Sequence, residues 1–123
     1  PADPRALTPQ AGFGDIAARR VEILGKLHGP IFFLNGGPGD SGYASAKANF
    51  EAIQHVPAVF AFQEVGHYPA TYRQPNGGSF AKAVGAWLKW QLRGDQTAKN
   101  MFVGEKCGFC TDASWKIERK KVE

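Results

Sequence analysis

Cysteine, methionine and long apolar runs are scarce in this sequence, which holds two cysteines and one methionine in 123 residues. No apolar stretch approaches the ~20 residues a helix needs to cross a bilayer, so no membrane association is expected. The opening PADPRALTPQ has neither the basic start nor the apolar run of a secretory signal. Two cysteines are too few for a disulfide-dense scaffold, and nothing in the composition suggests a collagen-like or disordered chain. Charge of one sign is modest too. Fifteen Lys and Arg against 11 Asp and Glu leave a net +4, and Glu118 and Glu123 interrupt the basic tail of Lys116, Arg119, Lys120 and Lys121. Such a small excess reads as solvated surface, and no nucleic-acid partner is expected. What is present, 43% hydrophobic and 21% charged residues, suits one globular domain able to bury a core.

Three prolines mark residues 1–12, and residues 1–14 read as an arm or linker. From Asp15, Ala17, Val21 and Leu24 fall on one helical stripe, with Gly25 as a stop. IFFL, from Ile31, is apolar without alternation, as expected of a strand covered on both faces. Ala46, Phe50 and Ile53 give a second helix ending before Pro57, and the next apolar run, residues 56–62, gives a second strand. Strand, helix, strand is a right-handed βαβ unit with parallel strands. Phe80, Val84, Trp87 and Leu88 then form the apolar stripe of a long helix, with Ser79 as N-cap and Gly94 as stop. Asp95 caps a short further helix. At the end, Trp115 and Ile117 alternate with Lys116 and Glu118, which suits an exposed strand or an extended tail. The fold class expected is α/β, a small parallel sheet with helices on both faces.

The turn after the first strand, GGPGDSG, admits three functions. Gly37, Gly39 and Gly42 spell G-x-G-x-x-G between strand and helix, and Glu64 follows 22 residues after Gly42. That is the setting of a dinucleotide or phosphate site, with backbone amides facing a pyrophosphate and Glu64 a ribose hydroxyl. Asp40 argues against it by placing a carboxylate beside the phosphate, and Pro38 removes an amide donor. The segment GDSG also matches a trypsin-like nucleophile, but that fold is all-β and its histidine precedes its serine. A G-x-S-x-G elbow is absent, because Tyr43 stands two positions after Ser41. In the third reading Asp40 and His67, each just past the carboxyl end of a parallel strand, meet as acid and base of a triad whose nucleophile is elsewhere. A structural loop histidine is the plainer alternative.

Three stretches, IFFLNGGPGDSGYASAKANFEAI, VPAVFAFQEVGHYPATYRQPNGGSFAKAVGAWLKWQLRGD and AKNMFVGEKCGFCTDASWKIERK, resemble the C-terminal part of secreted-type α/β-hydrolases of fungi and bacteria, which are serine esterases. The likeness runs from Lys26 to Lys120, and its series G-H-x-x-x-T-Y, N-G-G-x-F and W-L-x-W-Q-L-x-G-D is more specific than a glycine motif. The resemblance implies that Asp40 is the triad acid and His67 its base, that residues 15–123 form part of a hydrolase domain, and that the protein is secreted. It implies an ester substrate and no cofactor or metal. The family's nucleophile elbow and oxyanion loop have no counterpart here, so the chain alone is expected to be inactive. With the first strand lacking its neighbour, a second polypeptide or self-association is expected, and a non-catalytic interaction subunit that keeps the fold is an alternative.

Cys107 and Cys110 form C-x-x-C. A thioredoxin-like motif would sit at a helix start after an early strand, and a zinc site would need a second ligand pair. A local structural disulfide agrees with the exported relatives. His28 and His55 flank strand starts, the end opposite the presumed site, and read as structural or solvent-exposed. Trp87 and Trp90 offer a sugar platform or, at helical spacing, core. Phe60, Phe62, Tyr68 and Tyr72 are candidates to line an acyl or aromatic pocket near His67.

Overall fold

The computed structural model describes residues 12–67 and 74–123. Residues 1–11 of the expected arm, Tyr68 and Tyr72 lie outside the described residues, while residues 12–14 are helical. Chain order is α1 (Gly12–Leu24), β1 (Ile31–Asn35), α2 (Tyr43–Ala52), β2 (Ala58–Phe62), a single 3-10 turn (Pro75–Gly77), α3 (Gly78–Arg93), α4 (Gln96–Lys99), α5 (Gly108–Thr111) and β3 (Lys116–Lys120). No helix among the described residues is long and apolar enough to cross a membrane.

The sheet is mixed, which corrects the expectation of a purely parallel one. Its order is β1-β2-β3. β1 runs parallel to β2 with Ile31 opposite Ala58, whereas β3 returns antiparallel, with Ile117 opposite Ala61. The alternation of Trp115 and Ile117 with Lys116 and Glu118 is that of a strand with one covered face. The cover is α3, whose side of the sheet also receives Phe32, Leu34, Val59 and Ala61. Lys116 and Glu118 point away, exposed, and keep this edge charged against further pairing.

Helices cover both faces. On one, Ile31, Phe33, Ala58 and Phe60 pack with Phe50, Ile53 and Leu24, which come from α2 and the end of α1. On the other, Phe102 is fully buried at the centre of an aromatic cluster, its ring 5.3 Å from Phe32, 5.3 Å from Trp87, 5.6 Å from Trp90 and 5.1 Å from Phe109. Trp87 and Trp90 are therefore core, not a platform. β2 contributes to both clusters and is the central strand, so an apolar run without alternation is what its position requires. β1 carries the same kind of run but lies at the sheet edge among the described residues, and its first four residues are only half-buried.

Helix ends follow the local chemistry in part. Gly94 stops α3 in the left-handed region at φ 64°, and the Asp95 carboxylate caps α4 by accepting the Ala98 amide at 2.9 Å. Ser79 does not cap α3, because Gly77 takes the N-cap position and the Ser79 hydroxyl donates to Gln63 Oε1 at 2.7 Å. The helix starting at Gly12 puts Asp15 inside it. Two stripes also turn. Val21 is exposed while Leu24 meets the core, and on α3 the buried line runs through Phe80 and Ala83, leaving Val84 and Leu88 43% and 47% exposed. Apolar residues span a wide arc of α3, and the tryptophans, whose rings pack against Phe102, set which part of that arc turns inward.

Two residues of the basic tail, Arg119 and Lys120, are structural. Lys120 Nζ donates to the carbonyls of Phe50, Glu51 and Ile53 at 2.8, 3.0 and 3.0 Å, closing the end of α2 from a strand about 70 residues later. Arg119 Nη1 donates to Phe102 and Gly104 carbonyls at 2.8 and 2.9 Å.

Candidate active site

Parallel strands deliver their loops to the same edge of a sheet, and β1 and β2 end there with Asn35 and Phe62. The two following loops are tied by one residue. The Gly36 carbonyl accepts the amides of Val65 and Gly66 at 3.0 and 2.9 Å, and the Gly36 amide donates to Asp40 Oδ2 at 2.8 Å. Only glycine permits this approach, since a Cβ on Gly36 would fall on the Gly66 carbonyl. Asp40 is thereby held from one side and His67, next after Gly66, from the other.

Asp40 Oδ1 lies 2.8 Å from His67 Nδ1 and also accepts the Gly42 amide at 2.9 Å. The carboxylate is buried, whereas the His67 side chain is 52% exposed. Burial works to raise the Asp40 pKa, but the Gly42 and Gly36 amides and the His67 ring together outweigh it and hold the carboxyl below its ordinary 3.8. An ionised carboxylate only accepts, so His67 Nδ1 carries the hydrogen of this contact. Nε2 is then the nitrogen with basic character.

The sign of the linkage is testable. A carboxyl whose pKa is lowered on folding contributes stability that is complete above its unfolded pKa and lost as pH falls through the folded value. Asp40→Asn is expected to lower the urea midpoint at about pH 6 and to lose that deficit relative to wild type as pH drops below 3.8. Parallel midpoint curves from about pH 6 to about pH 2.5 would contradict the ionic role of Asp40.

The dyad opens onto a cavity of about 630 Å³ lined by Leu34, Asn35, Asp40, His67, Gly77, Phe80, Ala81, Val84, Gly85 and Leu88. Its walls come from β1 and α3. Phe60 and Phe62, expected near His67, pack instead on the opposite face with Phe50 and Tyr43. Their places are taken by Leu34, Val84 and Leu88, of which the last two carried an apolar signal assigned to the core.

No protein-family model matches this chain, and no curated protein does either. Gly37 N donates to Asn35 Oδ1 at 3.1 Å, so the amides of Gly36, Gly37 and Gly42 are all engaged within their own loop. Gly39 has open space around its α-carbon, and Glu64 is exposed beside Gly37. Cys107 and Cys110 form a disulfide at α5, outside the cavity lining. No cluster of metal-ligating side chains occurs among the described residues. His55 Nε2 contacts the Leu27 carbonyl at 2.7 Å and His28 Nδ1 the Lys26 carbonyl at 3.4 Å, both ahead of the strands and away from the dyad.

Proposed function

We propose that Asp40 and His67 are the acid and general base of a serine esterase of the α/β-hydrolase type, acting on a nucleophile contributed by residues outside this sequence. The observation that carries the reading is the 2.8 Å contact between a buried, amide-anchored carboxylate and a half-exposed imidazole at the carboxyl edge of parallel strands. In such a site His67 Nε2 takes the proton of the attacking serine and returns it to the leaving alcohol, while Asp40 fixes the tautomer and stabilises the imidazolium. The ester is cleaved through an acyl-enzyme. Ser79 and Ser114 donate their hydroxyls to Gln63 and Asp112, and no serine of the chain stands in a G-x-S-x-G elbow.

Two further features favour this assignment over a phosphate site. The amides that a phosphate would need already face Asp40 and Asn35, and the cavity beside them is apolar, as suits an acyl chain. The uncharged edge of β1 supports docking of a second polypeptide or a second copy, and the disulfide suits secretion into an oxidising compartment.

A fluorophosphonate probe tests the reading. The 123-residue chain by itself is expected to stay unlabelled. Joined to a polypeptide bearing the elbow serine, that serine is labelled, and His67→Ala slows labelling by at least about 10³-fold. Stoichiometric labelling of Ser41 in the isolated chain, or labelling indifferent to His67, overturns the assignment.

A further inference from the structure

Asn35 closes β1 at the wall of the same cavity and is only 6% exposed. Its Oδ1 accepts the Gly37 amide, whereas its Nδ2 has no hydrogen-bond partner among the described residues. The two ends of the amide are not interchangeable, because turning it would set an NH₂ group against the Gly37 N–H. The unsatisfied atom is therefore a donor. Leaving such a donor buried without an acceptor is destabilising, and a ligand that supplies an acceptor removes that penalty.

The remaining lining narrows the ligand. Asp40 and His67 are the other polar side chains of the cavity among the described residues, and the Asp40 carboxylate already accepts two amides and the imidazole. Leu34, Phe80, Val84 and Leu88 present hydrocarbon, and among the described residues no Lys or Arg lines the space to balance an anion. An uncharged molecule with one acceptor oxygen and an aliphatic chain matches this pattern.

We propose that Asn35 is a ligand-binding residue, its Nδ2 donating to an oxygen of a neutral carboxylic ester whose hydrocarbon chain lies along Val84 and Leu88. The choice of an ester rests on the hydrolase reading; the need for an acceptor rests on Asn35 alone. Nδ2 is shielded from bulk water, so the ligand parts the apolar wall to reach it, and a molecule without apolar contact gains nothing there. This donor also discriminates against hydrocarbons that bring no oxygen.

Side-chain NMR with methyl hexanoate and hexane as probes separates the possibilities. With methyl hexanoate, the Val84 and Leu88 methyls and the Asn35 NH₂ pair are expected to shift together, and with hexane only the methyls. Asn35→Asp keeps an acceptor for Gly37, replaces the donor with a carboxyl oxygen and adds an ionisable group, and it is expected to weaken methyl hexanoate binding roughly tenfold. Methyl shifts with an unmoved Asn35 pair, or an equal response of that pair to hexane, overturn the role of Asn35 and leave the cavity and dyad reading standing. No methyl shift with the ester overturns both. The wild-type resonances give these outcomes even where the variant fails to fold.

Discussion

Gly36→Ala is expected to destabilise the protein by about 3 kcal/mol and to break the Asp40–His67 contact in whatever folded population remains. The added methyl has nowhere to go. It would fall on the Gly66 carbonyl, which is backbone, so no rotamer change relieves the clash and one of the two loops must move. Movement of either loop loses the amides of Val65 and Gly66 from the Gly36 carbonyl, and movement of the first also strains the Gly36 amide's bond to Asp40. Urea unfolding reports the stability, and the imidazole nitrogen shifts of His67 report the dyad. Gly39→Ala is the matched control, since a Cβ there meets nothing, and it is expected to change stability by less than about 0.5 kcal/mol. Equal, small effects of both substitutions would show that the loops are not held by this approach.

Lys120→Met is expected to cost about 2 kcal/mol, a large effect for a residue that reads as part of a solvated basic tail. Methionine keeps most of the stem that lies over the Phe50 ring, where Nζ stands 4.7 Å from the centroid, and removes the three donors to the end of α2. Two of those carbonyls, on Phe50 and Ile53, are in part-buried contacts, so water replaces the ammonium poorly there. The exposed Lys116 makes none of these contacts, and Lys116→Met is expected to stay within about 0.5 kcal/mol. Thermal or urea unfolding compares the pair. Near-equal stabilities would remove Lys120 from the account of how β3 is joined to α2.

Much of the architecture was legible where one local rule was sufficient. IFFL and VFAF read as strands because unbroken apolar runs of that length have no other economical arrangement, and both are strands. Gly94 and Asp95 read as stop and cap because each acts on its own neighbours. The meeting of Asp40 and His67 followed from placing both after parallel strands, since parallel pairing brings successive carboxyl ends to one edge.

Where two surfaces compete, the sequence was mute. Val84 and Leu88 carry the same apolar signal as Phe80 and Trp87, yet the helix turned them to the cavity because the tryptophans meet Phe102. Phe60 faces α2 and not His67 because strand parity, set by pairing with β1 and β3, decides the face. Asn35 gave no signal at all: an asparagine before two glycines reads as turn chemistry, and only burial of its nitrogen without a partner marks it.

By itself, then, the sequence determined the main strands and helices and the placing of Asp40 and His67 at one sheet edge. Tertiary structure alone decided that β3 pairs antiparallel and that Lys120 and Arg119 bind backbone carbonyls. The division has one physical cause. Elements arise from interactions within a few residues, which a local pattern records, whereas orientation, edge position and side-chain partners depend on contacts between residues up to 70 positions apart, and a local pattern cannot record those.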